Sequence, residues 1–168
     1  MQNPSPKSAL RKQLLTARAA LDPARRAECS RLIAEQLLAD KAWAAAKSVM
    51  AYCSFPEEVA TEMILARALR QGKRLLLPRC IAGENRFEAV EVRDLETDLA
   101  PTAFHGLVEP LPGLKGTERP EGLDMILVPG IAFDRRGFRI GFGAGMYDKF
   151  LSANSDPYRV ALAFSLQV

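Results

Sequence analysis

Between Asp124 and Leu151 the chain reads DMILVPGIAFDRRGFRIGFGAGMYDKFL, and this stretch limits the folds open to it. An apolar run, Met125 to Val128, stops at Pro129-Gly130. Proline lacks a ladder donor and glycine permits a turn, so the run reads as a strand entering a loop. A short apolar segment (Ile131 to Phe133), a basic turn (Arg135, Arg136, Gly137) and Arg139 follow. Three alternating glycines, Gly141, Gly143 and Gly145, then lead into Tyr147-Asp148 and an amphipathic run. Alternating glycines let backbone N–H groups approach a ligand with no Cβ between them. A helix opening near Gly145 adds unpaired N–H groups and a partial positive charge. Together these suit phosphate. Arg139 and Lys149 offer full positive charge, and Asp148 offers a hard oxygen of the kind Mg²⁺ accepts beside nucleotide phosphates. Taken alone, such a loop also reads as a tight turn, and Asp148 as a first-turn acid stabilised by the helix dipole.

The rest of the chain supplies strands and helices in alternation. Ser5-Pro6 reads as a helix cap with proline at the first helical position. Leu10, Leu14, Ala17 and Leu21 recur behind it at helical spacing, and Lys7 and Arg11 share a face. Asp22-Pro23 repeats the signal for a second helix carrying Leu32, Ile33, Gln36 and Leu37. Trp43 sits in a short alanine-rich segment and reads as packing. Ser48 to Ser54 reads as a buried strand ending at Phe55-Pro56-Glu57-Glu58. Thr61 caps the next helix, whose inner face is Ile64, Leu65, Ala68 and Leu69, and Gly72 ends it. Lys73 to Pro78 is a second strand, and Phe87 to Val92 alternates like an antiparallel or edge strand. Residues 93–123 read as loops and short elements; His105, the only histidine, reads as incidental there. A helix runs from about Tyr147 to Ala153, and Tyr158 to Phe164 is the last strand. The pattern implies an α/β fold, Rossmann-like and three-layered (α/β/α), with a mostly parallel sheet and helices on both faces. Ligands in such sheets sit beyond the carboxyl ends of the strands. The Ser54–Glu58 and Gly130–Gly145 loops both leave strands there.

Composition excludes several classes. A net charge of +3 is too small to argue for nucleic acid. Charge is uneven, however: residues 1–31 carry Lys7, Arg11, Lys12, Arg18, Arg25, Arg26 and Arg31 against only Asp22 and Glu28. Most such runs are solvated helix faces. No apolar run is long enough to span a bilayer, and the first residues lack the apolar core of a signal peptide, so a cytoplasmic protein is expected. The three cysteines, Cys29, Cys53 and Cys80, fit reduced thiols and not a disulfide or zinc framework.

The glycine stretch also resembles the signature of the 5-formyltetrahydrofolate cyclo-ligase family, also called methenyltetrahydrofolate synthetases. The residues that carry the resemblance are Pro129-Gly130, Phe133-Asp134, Arg139-Ile140-Gly141, Gly143, Gly145, Tyr147-Asp148 and Phe150-Leu151. Further matches are Lys7, Leu10 and Arg11 near the N-terminus, Glu58-Val59 with Thr61, Gly72-Lys73, Pro78-Arg79, Glu109-Pro110, and Ala161 to Phe164 with Gln167. The resemblance implies a single cyclo-ligase-like domain over 1–168 and the same three-layer fold. It implies that Lys7 and Arg11 contact ATP phosphates, and that Arg139 with Gly141, Phe142, Gly143, Ala144, Gly145, Met146 and Tyr147 forms the rest of the nucleotide site. Asp148 would hold Mg²⁺, and Glu58 with Cys53 would line a reduced-folate site. The chemistry agrees: two cations at i, i+4 can grip a triphosphate, and a carboxylate can accept from the N–H edge of a pterin. Two departures stand out. Met146 replaces a usual tyrosine, and the chain stops at Gln167-Val168, where family members continue with a further segment that carries a metal-binding aspartate.

The implied activity is ATP-dependent closure of 5-formyltetrahydrofolate to 5,10-methenyltetrahydrofolate, with small-molecule partners only and a monomer or weak homo-oligomer. No residue presents itself as a general base, so the catalytic assignment stays open. The alternatives are a non-catalytic nucleotide- or folate-binding protein, and an enzyme of the same fold acting on a sugar phosphate.

Overall fold

A computed structural model describes residues 5–102 and 107–168. His105 lies outside them. The core is a six-stranded sheet in the order β10-β7-β1-β2-β3-β6. Its strands are β1 (Ser48–Met50), β2 (Arg74–Cys80), β3 (Phe87–Val92), β6 (Gly116–Thr117), β7 (Met125–Val128) and β10 (Tyr158–Ala161). β10, β7, β1 and β2 run parallel, and β3 and β6 add an antiparallel edge. Two short hairpin pairs stand apart: β4 (Leu99–Pro101) with β5 (Val108–Pro110), and β8 (Ala132–Phe133) with β9 (Arg139–Ile140). The helices are α1 (Pro6–Ala19), α2 (Pro23–Leu38), α3 (Lys41–Ala45), α4 (Glu62–Arg70) and α5 (Met146–Ala153), with a closing 3-10 turn, Ser165–Gln167. This is a mixed α/β fold with a mostly parallel sheet.

The central strands β1 and β7 and the middle of β2 are apolar on both faces. Val49, Leu75, Leu77, Met125 and Leu127 pack into one core with Ala34 and Leu37 of α2, Trp43 of α3, and Ile64, Leu65 and Ala68 of α4. Met50, Leu76, Ile126 and Val128 point the other way and join Phe150 and Leu151 of α5. Alternate residues of one strand thus enter two different cores, as a strand covered on both sides requires.

Helix starts follow local chemistry. Ser5 Oγ accepts the Ser8 N–H ahead of Pro6. Asp22 accepts the Arg25 N–H at 2.9 Å ahead of Pro23. Asp40 caps α3 through the Ala42 N–H at 2.7 Å, which turns the alanine-rich segment into a short helix that buries Trp43.

The structure corrects several expectations. α1 does not bury the Leu10–Leu21 stripe: Leu10 is exposed, and the one buried residue is Arg18. The helix is rotated so that Arg11 and Arg18 face the protein. In α2 the buried positions are Ser30, Ala34 and Leu37, while Leu32 is exposed. β1 ends at Met50 and not Ser54, because the backbone is drawn away by Thr61. The Thr61 hydroxyl donates to the Tyr52 carbonyl at 2.7 Å and accepts the Ser54 N–H at 3.2 Å. That hydroxyl therefore does not cap α4. β2 runs on to Cys80, since β3 pairs with it as far as Cys80↔Phe87. Pro78 is tolerated because its parallel neighbour β1 has already ended. β3 is antiparallel, as its alternation suggests, but β6 lies outside it at the edge. β10 ends at Ala161 and not Phe164: its register pairs Ala161 with Val128, after which Pro129 ends the partner strand.

Candidate functional site

The site forms where β1 and β7 end. After β7, Ile131 and the β8–β9 hairpin fold the chain back, with Asp134 accepting the Arg136 and Phe138 N–H groups at the turn. The hairpin delivers Arg139, largely buried, to the end of β7. Its Nη1 donates to the Pro129 carbonyl at 3.3 Å, and its Nη2 reaches Asp148 Oδ1 at 2.6 Å. The guanidinium also lies 5.7 Å from the Tyr147 ring centre. Sequence reasoning treated Arg139 and Asp148 as separate contributors, but here they form one ion pair with its acid side exposed.

The glycine loop follows. Gly145 caps α5 at φ +70 and Gly143 sits at φ +117, both left-handed conformations open to glycine at little cost. The helix starts at Met146, so the loop's final N–H groups lie at a helix N-terminus. Met146 and Tyr147 pack inward on the α5-side core, and Tyr147 lies 4.8 Å from Phe87. The Tyr147 hydroxyl is buried without a partner among the described residues. Phe142 and Ala144 are exposed.

Arg11 of α1 joins this loop. Its Nε–H donates to the Gly141 carbonyl at 2.9 Å, across 130 positions of sequence. Lys7 lies one turn earlier, exposed, on the same helix. The loop after β1 also meets the glycine loop, with Phe55 and Phe142 edge to face at 6.2 Å. Glu58 is buried there. Its Oε2 accepts the Phe55 N–H at 3.0 Å, and its Oε1 lies 3.8 Å from Arg18 Nη1. Cys53 is half-buried on the same segment. Arg11, Glu58, Arg139, the glycines and Asp148 therefore belong to one continuous region built from α1, the loop after β1 and the loop after β7, with Lys7 exposed one turn away on α1.

Burial, opposed by the Phe55 hydrogen bond and by Arg18, pushes the Glu58 carboxyl above its ordinary range. A raised folded value means Glu58 contributes stability fully below the ordinary glutamate value, and loses it as pH rises through the raised one. Denaturant midpoints measured from acid to neutral pH are therefore expected to favour Glu58→Gln over wild type increasingly as pH rises. A constant difference between the two proteins would refute this. Burial, with help from Glu62 and Glu109, raises the Cys53 thiol to about 11, which makes it a poor nucleophile at neutral pH.

Asp148, with Arg119, Lys149, Ser152 and Ala153, lines an open groove of about 550 Å³ along α5. A second groove, about 670 Å³, runs over β2, β3 and β6 and holds none of the residues expected in the site. Among the described residues no group of three or more His, Cys, Asp or Glu side chains could cage a metal, and no helix is long and apolar enough to cross a membrane.

The sequence pattern of the 5-formyltetrahydrofolate cyclo-ligase family matches residues 3–168. The chain belongs to that family. Among cyclo-ligase relatives, the 5-formyltetrahydrofolate cyclo-ligase of Mus musculus is 31% identical over 172 residues, covering 98% of this chain and 85% of its own. The NMR structure of Aquifex aeolicus 5,10-methenyltetrahydrofolate synthetase superposes with a TM-score of 0.82 at 34% identity, over 96% of this chain and 79% of that one. A 5,10-methenyltetrahydrofolate synthetase from Mycoplasma pneumoniae, at 22% identity and a TM-score of 0.67, shares the fold.

Two residues beside the candidate site were not singled out for it from the sequence: Arg18, which pairs with Glu58, and Phe55, whose N–H donates to Glu58 and whose ring meets Phe142. One signal was available for Arg18. It stands seven residues after Arg11, on the face that Lys7 and Arg11 already share.

Proposed function

We propose that this protein is an ATP-dependent 5-formyltetrahydrofolate cyclo-ligase, converting 5-formyltetrahydrofolate to 5,10-methenyltetrahydrofolate with release of ADP and phosphate. The observation that carries the reading is the Arg11–Gly141 bond, which brings an N-terminal cation onto a glycine loop at the strand ends, beside a buried acid. Lys7, Arg11, Arg139 and the loop N–H groups from Gly141 to Tyr147 hold the nucleotide phosphates. Glu58 and the Cys53 segment hold the folate.

The chemistry asks for positioning and charge neutralisation. The N5-formyl group is an amide whose oxygen is a poor leaving group. Transfer of the γ-phosphoryl group from ATP to that oxygen releases ADP and activates the carbon. N10 then attacks, loses its proton, and phosphate departs with the oxygen. In-line phosphoryl transfer needs aligned donors and acceptors more than a protein nucleophile. The cations on α1 and β9 oppose charge on the phosphates.

Mg²⁺ commonly takes one or two protein carboxylates and completes its shell with phosphate and water. Asp148 suits that role: it is exposed, and Arg139 engages only its Oδ1, leaving Oδ2 for an ion carried in by the nucleotide. When bound, the ion supplies further neutralisation of phosphate charge. Residues 1–168 act as one cyclo-ligase-like domain with a Rossmann-like three-layer arrangement, cytoplasmic and monomeric or weakly self-associating.

The test is near-ultraviolet absorbance of methenyltetrahydrofolate with purified protein, 5-formyltetrahydrofolate, ATP and Mg²⁺. Product that needs both ATP and Mg²⁺, with one ADP per turnover, is expected. ATP binding without product would overturn the catalytic reading.

A further inference from the structure

Arg18 is the least explained polar group in the described molecule. It sits in the last turn of α1 and is only 4% exposed. A guanidinium carries five N–H donors, yet among the described residues none of those of Arg18 makes a hydrogen bond. Its Nε is buried without a partner, and its Nη1 stands 3.8 Å from Glu58 Oε1, an ion pair too long for a hydrogen bond. Arg26 makes a useful contrast. Its Nε is also unpartnered, but its Nη1 and Nη2 donate to the Pro56 and Leu21 carbonyls, both at 2.8 Å. Arg26 is a structural tie, whereas the donors of Arg18 are unspent.

Glu58 is unspent on the same side. Its Oε2 holds the Phe55 N–H, while Oε1 accepts no hydrogen bond from the described residues. Phe142 closes this pair: the guanidinium lies 5.8 Å from its ring centre, and Phe142 is itself 48% exposed between two glycines. A buried cation and a buried acid thus stand side by side under a half-exposed flat ring. A flat heterocycle with N–H donors beside a carbonyl acceptor meets both needs. The pterin of a reduced folate presents such an edge, with amino and ring N–H groups next to the 4-oxo oxygen.

Resting on the cyclo-ligase reading above, we infer that Arg18 is a substrate-binding residue that donates to the 4-oxo oxygen of the pterin, while Glu58 accepts from the neighbouring N–H groups, with the pterin taking the place of the Phe142 ring over the pair. Donor and acceptor side by side fix which way round the ring enters, and so direct N5 and its formyl group toward the nucleotide.

The experiment measures 5-formyltetrahydrofolate and ATP affinities by calorimetry for wild type, Arg18→Gln, Glu58→Gln and the double variant. Arg18→Gln is expected to weaken folate binding by at least about 10-fold and to leave ATP affinity within about 3-fold, the loss that follows from one charge-assisted hydrogen bond. In the Glu58→Gln background the Arg18 change is expected to cost a further 5-fold or so, because the contact to the 4-oxo oxygen is its own. Folate and ATP affinities falling together, or neither falling, would overturn the inference. So would an effect that vanishes in the Glu58→Gln background, which makes Arg18 only a counter-ion. If Arg18→Gln does not fold, Arg18→Lys carries the test: charge is kept and the planar fork lost, and an unchanged folate affinity overturns the assignment. Wild type that binds ATP but no folate overturns both this inference and the reading it rests on, whereas a fully active wild type with an indifferent Arg18 overturns this inference alone.

Discussion

Arg11→Ala is expected to raise the KM for ATP by roughly 10–100-fold while the protein still folds. The substitution removes the cation proposed to face the phosphates and the strut that fixes the Gly141 carbonyl. Hydrogen bonds to charged groups contribute about 1.5–3 kcal/mol each, which gives the range quoted. α1 buries little, so the fold has little to lose there. Arg11→Lys should fall between, since lysine keeps the charge but not the side-on Nε geometry. Initial-rate kinetics at saturating 5-formyltetrahydrofolate give the answer, and an ATP KM within about 2-fold of wild type would remove α1 from the nucleotide site.

The second large effect is on stability. Gln167 is 3% exposed and spends its whole side chain. Its Nε2 donates to the Gly130 and Ile131 carbonyls at 3.0 and 3.1 Å, and its Oε1 accepts the Phe164 N–H at 3.0 Å. This clamp ties the closing 3-10 turn to the residues that begin the glycine loop's approach. Gln167→Leu strands three buried backbone groups, at a cost of roughly 3–5 kcal/mol. For a chain of this size the melting temperature should fall by about 10 °C. Gln167→Glu should be at least as harmful at neutral pH, because a carboxylate faces two carbonyl oxygens with nothing to donate. It should recover part of the loss in acid, where the protonated form can donate once. Thermal melts of both variants across pH check this, and a shift under about 2 °C for the leucine variant would deny the clamp its role.

Much of the glycine loop's architecture was legible because its chemistry is local. Pro129-Gly130 ends a strand wherever it occurs, and Gly143 and Gly145 announce backbone conformations that other residues resist. The cap residues Ser5 and Asp22 act on their own next turn. What escaped depends on distant partners. Arg18 looks like one more solvated cation until the loop after β1 covers it with Glu58. Thr61 has the sequence signature of a helix cap, but the Tyr52 carbonyl claims its hydroxyl, and strand β1 is shortened as a result. Gln167 lies three residues past an apolar run that suggests continued strand, and only the position of Gly130 turns it into a clamp. The likeness of Lys7, Arg11 and the glycine loop to a known family pointed to the site, but the pairing of Arg139 with Asp148 was visible only in three dimensions.

The rotation of α1 has an energetic consequence. This helix buries no leucine of its own; it packs on the closing 3-10 turn and reaches the body through the arginines at positions 11 and 18. If the two substrates engage those side chains as proposed, substrate and helix draw on the same contacts. Part of the binding free energy would then go into seating the helix. Measured affinity becomes a composite of intrinsic recognition and helix docking, and a remote substitution that merely loosens the N-terminal segment would pass, in a kinetic assay, for damage to the active centre.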